Sequence, residues 1–144
     1  MLFRSHEDRF DLWTGMATSP VAILLRDKAN FADLTGLARL RAIVRTQSLH
    51  TVYPIVKLAD GTLIAGNRGF STDGEYISVE VPFSGLKWFK VDPVKVTTTV
   101  EVKNADFSKV DEVGFVDLAP SGGHGNAGWA NISHVELYAK AVPR

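Results

Sequence analysis

The stretch that decides the fold is Val110 to Tyr138, VDEVGFVDLAPSGGHGNAGWANISHVELY. It reads as strand, glycine-rich loop, strand. Val113 and Phe115 alternate into a buried strand that runs out at Asp117 and Leu118. Pro120 ends the pairing, because proline has no N–H for a ladder. Gly122, Gly123, Gly125 and Gly128 then surround His124, a backbone free to take left-handed conformations. Trp129 closes the loop, and Ile132 to Tyr138 alternates again as a strand, with His134, Glu136 and Tyr138 on one face.

Working outward, Leu37 to Thr46 sets Leu40, Ala42 and Val44 against Arg39, Arg41 and Arg45, a period of two and therefore a strand. Val52 to Leu58 leads through Asp60-Gly61, a hairpin dipeptide, into Thr62 to Ala65. Further strands are expected at Val21 to Arg26, Tyr76 to Val81, Leu86 to Val91 and Val96 to Val102. Asp27 to Gly36 reads as a turn-rich connection, and Asn104 to Val110 has room for one helical turn. About eight or nine short strands with no long amphipathic helix predict an all-β sandwich of two antiparallel sheets. Residues 1–144 form a single domain, in which 1–19 is an N-terminal arm laid across a sheet.

The composition narrows the function classes. Sixteen basic residues balance sixteen acidic ones, so no net field draws the chain to nucleic acid or to an anionic membrane. There is no cysteine, which removes disulfides, thiolate nucleophiles and thiolate zinc sites. No run approaches the roughly 18 apolar residues of a membrane helix. As written the chain reads as cytoplasmic; an export signal ahead of it would make it extracytoplasmic.

A turn DLTGL before the basic strand LARLRAIVR, the hairpin KLADGTLIAG, then VEVPFSGLKWFKV, DFSKVDEVGFVDL and a last strand ISHVELYA follow one another in a familiar order. In this order the chain resembles the galactose-binding-domain-like jelly roll, found in carbohydrate-binding modules and in complex I intermediate-associated proteins. The HGNAGW loop also resembles one in uncharacterised bacterial proteins of this shape. The resemblance covers roughly residues 20 to 140 and implies a jelly-roll sandwich. It carries no catalytic motif, since this fold hosts binding modules, adaptors and enzymes alike.

Three functions remain open on these residues. The first is a module that binds carbohydrate or a similar polar small molecule through the glycine-rich loop. Trp129 would stack on the sugar, and Arg39, Arg41, His134 and Glu136 would form a polar sheet face. That same face would otherwise be a solvated surface of cross-strand ion pairs. Tyr53, Tyr76 and Trp88 are further aromatic candidates, and His50 lies in a turn at one rim or the other. The second is a small sugar-directed lyase, isomerase or hydrolase with His124 as acid and base, supported by Asp117 or Glu136. Asp117 otherwise caps its own turn. The third is a structural or adaptor domain that forms homo-oligomers. No cofactor is expected apart from a structural calcium on Glu136, whose second carboxylate would come from Glu7 or Asp8.

Overall fold

The computed structural model describes residues 2–4, 11–13, 20–47, 50–118 and 130–144. Its strands are β1 (Leu2–Arg4), β2 (Asp11–Trp13), β3 (Val21–Arg26), β4 (Asn30–Asp33), β5 (Arg39–Thr46), β6 (Val52–Leu58), β7 (Leu63–Gly66), β8 (Ile77–Pro82), β9 (Trp88–Asp92), β10 (Thr97–Val102), β11 (Val110–Asp117), β12 (Ala130–Tyr138) and β13 (Lys140–Pro143). All pair antiparallel, in two sheets. The five-stranded sheet runs β1-β12-β5-β8, with β2 on the same edge of β12 as β1. The eight-stranded sheet runs β10-β9-β7-β6-β11-β4-β13, with β3 paired to β11 beside β4. Among the described residues there is no helix, hence none long and apolar enough to cross a membrane.

The expected sandwich is therefore present with more strands than the sequence pattern suggests. The two described pieces of the N-terminal arm are edge strands and do not lie across a sheet: they pair with β12, Leu2 opposite Tyr138 and Trp13 opposite Asn131. Within the expected connection, Asn30–Asp33 pairs with β13, because Asp27 and Asp33 close tight turns on either side of it. The segment before β11 is turns without a helix. At the Asp60-Gly61 hairpin, Gly61 N–H donates to the Leu58 carbonyl and Leu58 N–H to the Thr62 carbonyl. The connection thus has three residues, with Gly61 at φ 90°, not two.

Strand burial follows chemistry. β5 alternates without a break, Leu40, Ala42 and Val44 being buried and Arg39, Arg41, Ile43 and Arg45 half-buried on the outside. Those inward residues meet Val56, Ile64, Val81, Phe115 and Ile132 in the core between the sheets. Each such side chain removed from water contributes about 1.5–3 kcal/mol. β6, β7 and β11 are apolar on both faces. Val56, Ile64 and Phe115 point inward, while their neighbours Ile55, Ala65 and Val116 join Val91 in a second cluster on the far side of the larger sheet. Tyr53, Leu63 and Leu24 pack over that cluster. Strands buried on both faces read as continuous apolar runs, which is what PIV and VGFV are. At the opposite extreme, β10 is exposed along nearly its whole length, because it pairs only with β9 at the sheet's edge. Val96 does not begin that strand; it sits in the preceding turn at φ 51°.

Candidate functional site

β12 does not alternate as one strand. Ala130 and Ile132 point inward in its first half, and Leu137 points inward in its second. Even positions thus give way to odd ones, which requires one extra residue. The register supplies it: Ser133 pairs with Ile43, but Glu136 pairs with Arg41, so His134 and Val135 together face Ala42. This β-bulge holds His134 at φ 51°, a conformation that costs a side-chain-bearing residue on the order of 1 kcal/mol. His134, Glu136 and Tyr138 consequently do share the outer side, whereas Ile132 does not.

The bulge divides the outer face of the smaller sheet into two regions. Beyond it lies an ion network. Arg41 Nη2 donates to Glu80 Oε2 at 2.9 Å, and its Nη1 lies 4.0 Å from Glu136 Oε2. Arg39 Nε lies 3.8 Å from Glu80 Oε1. The Tyr138 hydroxyl donates to Glu136 Oε2 at 3.0 Å, and His134 Nε2 lies 3.2 Å from Glu136 Oε1. The guanidinium groups of Arg39 and Arg41 lie 4.5 and 5.6 Å from the centre of the Tyr138 ring. The hydrogen bond to Glu80 raises the Arg41 pKa above its ordinary value. The structure thus brings together Arg39, Arg41, His134 and Glu136, four candidates of the sequence, in one network with Glu80 and Tyr138.

Before the bulge the same face carries a row across four strands. Trp13 on β2 pairs with Asn131 on β12, and Asn131 pairs with Arg45 on β5. Tyr76, one residue ahead of β8, completes it: Asn131 Nδ2 donates to the Tyr76 hydroxyl at 3.1 Å, and the Arg45 guanidinium lies 5.1 Å from the Tyr76 ring centre. Trp13 is 59% exposed and Tyr76 47%. The loop that delivers Tyr76 is pinned to the end of β5. Thr46 and Thr72 each donate a backbone N–H to the other's hydroxyl, and Arg45 Nε donates to the Gly74 carbonyl at 2.6 Å. Gly74, at φ 77°, makes the turn between them. Among the described residues, the buried side-chain nitrogen and oxygen atoms without a hydrogen-bond partner are Arg39 Nε and Asn131 Oδ1. Both belong to this face.

The row ends at the rim where two segments cross between the sheets, 47–51 from β5 to β6 and 118–129 from β11 to β12. His124, Trp129 and the glycines around them lie outside the described residues, as do Glu7 and Asp8. Asp117 is buried and bonded to Nδ1 of His50, which places His50 at this same rim; its expected partner His124 is outside the described residues. Among the described residues no group of three or more His, Asp or Glu side chains gathers as a metal site. The other aromatic candidates part ways. Trp88 is buried in the core, stacked 6.2 Å from Phe83, and Tyr53 packs over the second cluster. Trp13 is the residue sequence reasoning missed. Its signal was the short alternation DLW, hidden in an arm without periodicity.

No protein-family model matches the sequence, and no curated protein sequence matches it either. Solved structures do resemble the chain. One is an exo-beta-agarase (TM-score 0.55, 10% identity), whose match covers 92% of this chain and 20% of that one. A second agarase gives a TM-score of 0.51 at 10% identity, over 99% of this chain and 23% of the other. The family 11 carbohydrate-binding module of a cellulosomal cellulase of Clostridium thermocellum gives 0.52 at 9% identity, over 97% of this chain and 87% of the module. The chain thus spans about a fifth of the length of either agarase. At such identity the likeness establishes the fold, in agreement with the galactose-binding-domain-like sandwich that the order of motifs resembles.

Proposed function

We propose that this domain binds a neutral, polyhydroxylated ligand, a run of linked sugar rings, on the outer face of its smaller sheet. The observation that carries this reading is the row Trp13–Asn131–Arg45–Tyr76, with an exposed aromatic at each end and polar groups between. Sugar C–H faces pack on aromatic rings while hydroxyls bond to amides and guanidinium groups, so the order aromatic, polar, polar, aromatic matches a short glycan. Three strand spacings set the two aromatics about 14 Å apart. Arg39 and Arg41 are balanced by Glu80 and Glu136, which favours a neutral glycan over a charged one. His124 and Trp129, which precede β12 in the chain, are proposed to extend the site. The neighbouring structures, two agarases and a carbohydrate-binding module, are consistent with this ligand class.

Affinity electrophoresis through gels loaded with neutral soluble polysaccharides, agarose- and cellulose-derived ones included, tests the reading. At least one glycan should retard the wild type. Trp13→Ala and Tyr76→Ala should each weaken that retardation about tenfold, with melting temperatures little changed because both side chains are exposed. A glycan that retards both variants as strongly as wild type would place the site elsewhere.

A sugar-directed enzyme is the second reading, favoured by one observation. A buried carboxylate on Nδ1 of His50 fixes the imidazole so that Nε2 is the atom presented for proton transfer. In that case His50–Asp117 is a dyad among the described residues, and His124 lies outside them. Turnover of the retained glycan, lost in His50→Gln, would support it.

A further inference from the structure

β5 begins at Arg39 about 20 Å from Arg45, at the end of the sandwich far from the aromatic row. There the turns before β5 and after β8 and the segment after β10 enclose an open groove of about 390 Å3. Its apolar wall is Leu86, Trp88, Val102 and Phe107, with the Trp88 and Phe107 rings 5.2 Å apart. Lys87, Lys103 and Glu101 stand at its mouth. Neither lysine has an ion-pair partner among the described residues, whereas Lys57, Arg26, Arg41 and Arg144 all do. Of the side chains that line the groove, two lysines and one glutamate carry charge, two minus one, one positive charge.

The walls are preformed. Lys87 N–H donates to Asn67 Oδ1 and its carbonyl accepts from Asn67 N–H, both at 2.9 Å. Leu34 N–H donates to the Phe107 carbonyl at 2.8 Å, tying the far wall to the turn before β5. Asp33 and Asp106 each brace a turn at the groove through bonds to Thr35 and Ser108. A groove of this volume falls within the range of small-molecule sites.

We propose that this groove is a second binding site, for a small monocarboxylate that carries a flat apolar ring. The ring lies against Leu86, Val102 and Phe107, with the buried Trp88 behind them, and the carboxylate accepts hydrogen bonds from Lys87 and Lys103. One carboxylate neutralises the single excess charge of the rim. A phosphate dianion would overshoot it and meet Glu101.

Calorimetric titration with 2-naphthoate, and with 2-naphthylmethanol as its uncharged counterpart, tests the site on the full chain. Wild type should bind the carboxylate at least about tenfold more tightly than the alcohol. The double variant Lys87→Ala/Lys103→Ala, altered only at exposed side chains, should keep its melting temperature and lose that preference. Amide resonances of Gly36 and Gly85 should move with 2-naphthoate, and Trp13→Ala should leave the binding unchanged. No heat and no amide shifts up to about 10 mM 2-naphthoate would overturn the proposal. So would a preference that survives in the double variant, or shifts confined to other faces.

Discussion

On the smaller sheet the outward side chains include Arg39, Arg41, Ile43, Arg45, Glu80, Glu136 and Tyr138. On the larger they include Tyr53, Ile55, Ala65, Val91 and Val116. Both sheets alternate, and both bury their inner faces in one core. They differ in what the second face is for. Ile55 and Val116 are fully buried although they point away from the other sheet, so that face is structural. The smaller sheet instead leaves Trp13 and Tyr76 in water, and the two buried side-chain polar atoms without a hydrogen bond among the described residues lie there. Unsatisfied polar groups and exposed aromatics together mark a surface shaped for something other than stability.

The contrast can be broken in the core first. If the far side of the larger sheet is a second core, Ile55→Ala should cost about 2–5 kcal/mol, as much as Ile64→Ala between the sheets. Chemical denaturation of the two variants compares them directly, and a cost for Ile55 under about 1 kcal/mol would reduce that cluster to ordinary surface. Gly114→Ala should follow at about 1–3 kcal/mol. A methyl group there would overlap the Ile23 carbonyl oxygen, and relief requires β3 to separate from β11.

Acid should find the next weakness at one edge of the larger sheet. Burial raises the Asp111 pKa, but the hydrogen bond and charge of Arg144, with help from Arg26, outweigh it, and the carboxyl is held below its ordinary 3.8. A depressed folded-state pKa adds stability that is present above 3.8 and is lost as pH falls through the folded value. Asp111→Asn should therefore lower stability by on the order of 1 kcal/mol at pH 7. The gap to wild type should close below about pH 4, as followed by melting temperature against pH. His134→Gly is the smallest effect. Relief of the positive φ in the bulge should leave stability unchanged or raise it by up to about 1 kcal/mol, while His134→Val should lower it.

Much of this contrast was legible in the residues. The alternation RLRAIVRT in β5 announces one wet face, and the apolar runs PIV and VGFV announce two dry ones. The galactose-binding-like order of motifs agrees with the sandwich that formed. What stayed hidden depends on chain-distant pairing. DLW carries too few residues to show a period, so the strand that sets Trp13 beside Asn131 exists only because β12 offers it an edge. A single extra residue at His134–Val135 reverses the alternation of β12, and no local pattern in ISHVELY reports it. His50 and Asp117 are separated by 67 positions, and the pairing of Asp117 with Val52 across β11 and β6 brings them together.

The central claim is that the wet face, and not the dry one, receives the glycan. Amide chemical-shift mapping with the tightest-binding neutral oligosaccharide tests it most directly. The account expects the largest shifts at Trp13, Ile43, Arg45, Tyr76 and Asn131, with Ile55, Ala65, Val91 and Val116 unmoved. Shifts centred on those four residues of the larger sheet, or none with any glycan at saturating concentration, would contradict it.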